Sequence, residues 1–358
     1  LVLAGSMPVD LFGSFTLDLA SLLIDGPGLV GRTVGAHVNL RAASMRLQNS
    51  LGTANNETGA AGASLTLSGR ANADPLALEL GQASGADAGA DAGDFDIGGF
   101  AAVTINALSV TGVGDHGLDI DADTTDITAS YLAALSGTRM AILTSGALRT
   151  LAGAAAGIPV DLSPFVGGGV SLQGTALVHG GTVLAPSGQA SLLSTGGNLV
   201  VSGTVDAAGR SALPFQLTTI GTAGGGITVE ANGGDLVLQG TSVLDVSGGV
   251  GNKSGSGGRL RLAAGQGNLD VEANATLRGS AAAGVDGASI DIDAGRLSGG
   301  LAGITGRLTG GDFTAGKSVR VRAANENLEL AAGVSLAARV LKLASDQGDV
   351  LLRGTLDA

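Results

Sequence analysis

The sequence predicts an all-β chain wound as a β-solenoid, with coils of about 20–30 residues stacked on one another. Three observations carry this. A nine-residue step joins two apolar strand starts four times in the C-terminal third: Ile227 to Leu236, Leu260 to Leu269, Val319 to Leu328 and Leu341 to Val350. In three of the four, another apolar position follows eight residues on, at Leu244, Leu277 and Leu336. Each start opens a short alternating run such as Val319-Arg320-Val321-Arg322, which places apolar side chains on one face of a strand. The residue before the second strand is Asn198, Asp235, Asn268, Asn327 or Asp349. Asn and Asp bond their own backbone at turns and tolerate left-handed geometry. These five are therefore expected to stack as a structural turn column at one corner, with three short strands per coil.

First strands start at Ile227, Leu260, Ile290, Val319 and Leu341, at intervals of 33, 30, 29 and 22 residues. The shortest interval reads as a bare coil. The excess in the longer ones is Gly- and Ser-rich, at Gly248–Gly258 (GGVGNKSGSGG) and Ala281–Gly287 (AAAGVDG), and reads as loops leaving the coil at a corner. Aligning the strands puts Arg261, Asp291 and Arg320 in one outward charge column, with Asp293 beside Arg322. Such exposed pairs contribute under about 1 kcal/mol each, so their expected use is in fixing register.

In the N-terminal half, Ala36–Leu47, Ala63–Leu67, Val103–Val110 and Gly117–Ile127 alternate like strands, while Asn55–Gly62 and Ala83–Gly93 read as exposed loops. From Tyr131 to Gly169 the pattern fades into a short helix or an irregular excursion, and Gly168–Gly209 resumes the coils. With no linker in view, residues 1–358 read as one continuous solenoid. Gly348–Ala358 stops in the middle of a coil, so the chain is expected to be an internal piece of a longer protein.

Composition narrows the function. Stacked coils have no size limit, so 358 residues fit one repeat domain. There is one Tyr, seven Phe and no Trp, which leaves the core to Ala, Val, Leu and Ile. A formal charge of −12 argues against nucleic acid and anionic membranes as partners, because phosphate binding needs clustered Lys and Arg. No Cys is present, so no disulfide contributes. The apolar stretch Ala147–Phe165 is broken by Arg149, Pro159, Asp161 and Pro164, and no membrane insertion is expected.

Chemical motifs are weak. Asp119, Asp121 and Asp123, with Asp291 and Asp293, are the carboxylates a sugar-cleaving groove would use, yet all alternate with inward residues as a solvated strand face does. Asp119-Ile120-Asp121-Ala122-Asp123 opens like a calcium loop, but position six is Thr124 and position twelve Ser130. Val113-Gly114-Asp115-His116-Gly117 is a fragment of a glycine-rich calcium repeat, and Asp87, Asp91, Asp94 and Asp96 form an acidic loop cluster. His37, His116 and His179 have no metal-ligand spacing and read as surface or turn residues. Gly224-Gly225-Gly226 precedes a strand and not a helix, unlike a phosphate loop. The expectation is no catalytic residue, no metal and no cofactor.

Gly196–Gly209 (GGNLVVSGTVDAAG), Gly233–Gly248 (GGDLVLQGTSVLDVSG) and Gly257–Leu269 (GGRLRLAAGQGNL) resemble the repeats of filamentous haemagglutinin-like proteins. So do Gly98–Gly112 (GGFAAVTINALSVTG) and Leu184–Gly188 (LAPSG). The resemblance covers most of the chain and is weakest from Tyr131 to Pro164. It implies a right-handed parallel β-helix and the shaft of a secreted or cell-surface adhesin of a Gram-negative bacterium, active in attachment or biofilm formation. An outer-membrane two-partner-secretion transporter is the implied export partner, and a host-cell or glycan receptor, or further copies of the chain, the implied binding partner. The family's secretion domain, with its Asn-Pro-Asn type motifs, has no counterpart here, nor has any effector or toxin domain. A self-assembling extracellular filament or matrix protein is the alternative, and a polysaccharide-active β-helix enzyme a minor one.

Overall fold

The computed structural model describes residues 1–55, 57–70, 74–82, 93–154, 158–159, 161–212 and 218–358. The chain is all-β, 52% strand and 4% helix, and the strands of its large sheet pair in parallel with their counterparts one coil on, while Ser211–Ala212 and Ile220–Gly221 form a small antiparallel pair. This is a parallel β-helix, or β-solenoid. It divides into two compact units, Leu1–Thr175 with His179–Val183, and Ala176–Val178 with Leu184–Ala358.

In the second unit the nine- and eight-residue steps are the strands of single coils. Ile227 lies opposite Leu260, Leu236 opposite Leu269 and Leu244 opposite Leu277. One coil is Gly226–Ala231, Leu236–Leu238 and Val243–Asp245, and the coil before it is Gln189–Ser194, Leu199–Val201 and Thr204–Asp206. Alternation sends Ile227, Val229, Leu236, Leu238 and Leu244 inward, where all are buried. Each such aliphatic side chain contributes about 1.5–3 kcal/mol of transfer energy.

The register of the first strand after Ile290 differs from the sequence reading. Lys317, not Val319, lies opposite Ile290, and Val319 lies opposite Ile292. Lys317 in turn pairs with Leu341. The strand Gly316–Val321 begins one inward position earlier than its first apolar residue, and that position holds a lysine only 4% exposed. Six residues then separate Val321 from Leu328 and four separate Ser345 from Val350, so the turn shortens by two and Leu328 still meets Val350.

Helix α1 (Gly300–Gly310) is the one α-helix among the described residues, and the sequence reading missed it. Leu301, Ile304 and Leu308 are buried at helical spacing, but glycines at 300, 303, 306 and 310 disfavour a helix by about 1 kcal/mol each. It follows Ser289–Leu297 in the place where the next two strands belong. Leu328–Leu330 and Ser335–Ala337 consequently pair only onward, with Val350–Leu352 and Thr355–Asp357. The first face alone carries its ladder through, from Ser289–Leu297 to Gly316–Val321.

The Gly-rich segment at 248–258 is packed and does not leave the coil as a free loop. Gly209 N–H donates to Ser247 O at 2.7 Å, Gly224 N–H to Ser256 O at 2.8 Å and Gly249 N–H to Thr222 O at 2.8 Å. Backbone lies on backbone here. A methyl group at Gly258 would run into the carbonyl of Gly225, and one at Gly221 into that of Gly249.

The first unit repeats the plan. Phe15–Asp25 pairs along its length with His37–Gln48, and the face continues through Ala63–Ser68, Phe100–Asn106, Thr124–Ala129 and Ala147–Ala152. A second face runs through Gly28–Gly31, Phe95–Gly98, Leu118–Ile120 and Arg139–Thr144 to Gly169–Gly174. The segment after Tyr131 therefore continues the coils, with strands Tyr131–Ala134, Arg139–Thr144 and Ala147–Ala152. Outward Leu143 and the small residues Ala133 and Ala134 blur its alternation. Irregular chain begins only at Gly153, and Phe165 folds back to set its ring 5.8 Å from Tyr131. Residues 83–92 lie outside the described set, with all but the last residue of the loop read at Ala83–Gly93.

Candidate functional site

The five turn residues fall into two runs. Asn198 Oδ1 accepts the backbone N–H of Asp235 at 2.9 Å, and Asp235 Oδ1 accepts that of Asn268 at 2.7 Å, each one coil further on. Asn268 Nδ2 donates to Ser298 Oγ at 2.7 Å. There helix α1 interrupts the series, and Arg296 takes the place opposite Asn268. It resumes at Asn327, whose Oδ1 accepts the Asp349 N–H at 2.7 Å. None of the five is left-handed; among the described residues the positive-φ non-glycine positions are Ser187, Asp312 and Asn325. In Asn198, Asp235 and Asn327 the side-chain oxygen reaches the neighbouring coil and not its own turn.

The charge column is rearranged by the register of Lys317. Arg261 Nη1 meets Asp291 Oδ2 at 2.8 Å, but the residue across from Asp291 on the next strand is Ser318. Arg320 lies across from Asp293 and forms a two-pronged pair with Asp346, 2.9 Å at each prong. Arg322 clamps Asp293 at 2.6 and 2.5 Å. The Arg322 guanidinium holds the Asp293 carboxyl below the ordinary carboxylate range. Asp291 and Asp293 are thus ion-pair partners between coils, which leaves neither as a free acid.

The carboxylates of the first unit are different. Asp96 and Asp119 stand side by side on adjacent strands of the second face. They line a groove of about 490 Å³ with Asp121, Ser145 and Gln173, walled on one side by Asn55, Glu57 and Thr58. Arg32 fastens that wall, reaching Glu57 at 2.9 Å, Thr58 O at 2.9 Å and Asp10 at 2.6 Å. Burial, then the charges of Asp119 and Asp94, push Asp96 up to about 6, against a backbone hydrogen bond from Asn55. Burial and Asp94 raise Asp119 as well, and its Oδ1 is covered with no hydrogen-bond partner among the described residues. Burial and neighbouring negative charge both oppose ionisation, which is why both carboxyls lie above the ordinary carboxylate value. No aromatic or basic side chain lines the groove beside them. Asp121 accepts from Ser145 Oγ at 2.8 Å, and Asp94 Oδ1 from Gly117 N–H at 2.5 Å.

The remaining sequence candidates do not converge. Asp123 borders a separate small hollow with Thr58 and Ala61, and Asp87 and Asp91 lie outside the described residues. His179 is fully buried, not a surface residue; its Nδ1 is 2.6 Å from Thr150 Oγ1 inside the first unit. His37 Nδ1 lies 2.7 Å from Ser64 Oγ on the neighbouring strand. Among the described residues no three His, Cys, Asp or Glu side chains are grouped to hold a metal ion, and no helix is long and apolar enough to cross a membrane. Gly224 and Gly225 precede the strand that Gly226 opens, and the three line a basic groove. The wall of Asn55, Glu57 and Thr58 belongs to the segment read as an exposed loop at Asn55–Gly62, and its closure on Asp96, some forty residues on, has no local signal in the sequence.

No family model, curated protein or solved structure matches this chain.

Proposed function

We propose that the chain is a structural shaft segment of a secreted or cell-surface filamentous haemagglutinin-like adhesin, serving attachment or biofilm formation and exported through a two-partner-secretion transporter. The observation that carries this reading is where the polar side chains go. Asn198, Asp235 and Asn327, with the pairs Arg261–Asp291, Arg322–Asp293 and Arg320–Asp346, join one coil to the next. Side chains that join coil to coil are what a spacer requires, because each repeat contacts chiefly its neighbours. Immunogold electron microscopy with antibodies to this chain tests it. Label on thin rods projecting from producing cells is the expected result, label confined to the cell interior overturns the reading, and label along long regular polymers favours the extracellular filament.

The half-buried Asp96–Asp119 pair favours one lesser reading, a polysaccharide-active β-helix. Release of new chain ends from a panel of neutral and acidic polysaccharides, abolished by Asp96→Asn, tests that reading.

A further inference from the structure

The second unit holds a basic groove that stacking does not require. Along the outside of its first face, Gly226, Arg259, Ser289 and Gly316 form one column of adjacent residues. Beside it runs a second column of Thr228, Arg261, Asp291, Ser318 and Lys342. Two depressions of about 620 and 440 Å³ share Arg259 as a common wall. Their floor is glycine and serine, so a ligand reaches the backbone, while Arg259, Arg261, Arg339 and Lys342 form the rim.

These cations are incompletely neutralised. Arg261 and Arg259 share the single carboxylate of Asp291, at 2.8 and 3.7 Å. Arg339 pairs with Asp286 at 2.5 Å, and its side chain stays 65% exposed; that of Arg259 is 67% exposed. Lys342 is exposed and makes no ion pair among the described residues. Four cations therefore face two carboxylates, in a chain whose formal charge is −12. A local reversal of sign in an open groove selects anions.

The spacing selects the kind of anion. Arg261 and Lys342 are three strand steps apart, about 14 Å at about 4.8 Å per step. Ser289, Ser318, Thr228 and Gln189 lie between and beside the cations. Single-stranded nucleic acid needs denser cations and aromatic platforms for its bases, and no aromatic residue lines this groove. A linear polysaccharide with one carboxylate and several hydroxyls per unit matches sparse cations set among hydroxyls and an amide. We infer that this groove binds a carboxylate-bearing linear polysaccharide, its carboxylates held by Arg259, Arg339 and Lys342. The inference deepens the adhesin reading and rests on it for where such a glycan is met, but binding by the purified chain is tested separately.

The experiment is retention of the purified 358-residue chain on immobilised polygalacturonate at low ionic strength, with neutral dextran as reference. The expected result is retention on polygalacturonate alone, reversed by salt. Arg259→Ser combined with Lys342→Ser should weaken it by about tenfold or more. Arg139→Ser with Arg149→Ser, which removes two exposed cations of the first unit, should leave it unchanged. Arg339→Ser is the second test variant, and thermal unfolding checks that each folds. No retention overturns the groove while leaving the shaft to microscopy. Equal retention by the Arg259/Lys342 variant, an equal loss in the Arg139/Arg149 variant, or preference for single-stranded DNA over polygalacturonate each overturns it too.

Discussion

Asn198 lends its side-chain oxygen to the backbone N–H of Asp235, 2.9 Å away and one coil further along. Asp235 repeats the gesture toward Asn268. A turn residue of one coil thus supplies the acceptor that the turn of the next coil lacks, and the corner becomes a ladder of its own beside the strand ladders.

Removing one rung has a definite expected cost. Asn198→Ala should destabilise the second unit by about 1 kcal/mol, because the Asp235 N–H loses its partner. Asn198→Asp keeps the acceptor and should cost less. Denaturant unfolding gives the energy, and hydrogen exchange should show the Asp235 amide exchanging faster in the alanine variant. An unchanged Asp235 amide would show the contact to be incidental.

Stability should fall as pH rises through the titration of Asp96. Its folded-state value, about 6, lies above the ordinary 3.8, so the folded chain binds more protons than the unfolded one between those limits. The penalty is absent below about pH 4, grows across the window and is complete above about pH 6. Solvent screening of this half-exposed group limits it to about 1 kcal/mol. Asp96→Asn should raise the melting temperature at pH 7.5 and flatten the pH profile. A variant less stable than the parent at pH 7.5 contradicts this.

Two glycine-to-alanine changes should have opposite signs. Gly258→Ala drives a methyl group into the Gly225 carbonyl and should destabilise by about 1–3 kcal/mol. Gly306→Ala sits on the exposed side of helix α1, with nothing within 4 Å of the added carbon. It should stabilise by about 0.5–1 kcal/mol. Urea titration of both variants measures the difference.

Lys317 occupies an inward place between Ile290 and Leu341, and its Nζ donates to Ala337 O at 2.6 Å. Burial lowers its pKa below the ordinary value for lysine. The unfolded chain then binds more protons in the window between the two values, so stability should rise with pH approaching 10.5 from below. Lys317→Met, which keeps the volume without the charge, should stabilise at pH 7 by about 1 kcal/mol and remove that slope. Calorimetry at pH 7 and pH 9.5 separates the two outcomes.

Much of this fold is legible in the sequence because a coil writes itself as spacing. Ile227, Leu236 and Leu244 announce three strands, and their counterparts 33 residues on announce the stacking. Legibility fails where a single residue contradicts its place. Lys317 fills an apolar position, so pattern reading starts the strand at Val319 and slides Arg320 into the wrong column. Glycines at 300, 303, 306 and 310 conceal a helix that tertiary burial of Leu301, Ile304 and Leu308 enforces. The acidic groove was half legible. Asp119 and Asp121 stand out as an alternating pair, but their neighbours Asp96 and Glu57 arrive through coil stacking and a loop closure that no local pattern encodes.

The coil register is the claim on which the rest depends, and the absence of native cysteine makes it directly measurable. Thr228→Cys with Arg261→Cys places two outward thiols on adjacent strands in register, whereas Thr228→Cys with Arg259→Cys, at another exposed outward position, offsets them by two residues. The account predicts rapid bridging of the first pair by dibromobimane and slow bridging of the second. Equal rates, or faster bridging of the offset pair, would contradict the stacked three-strand coil.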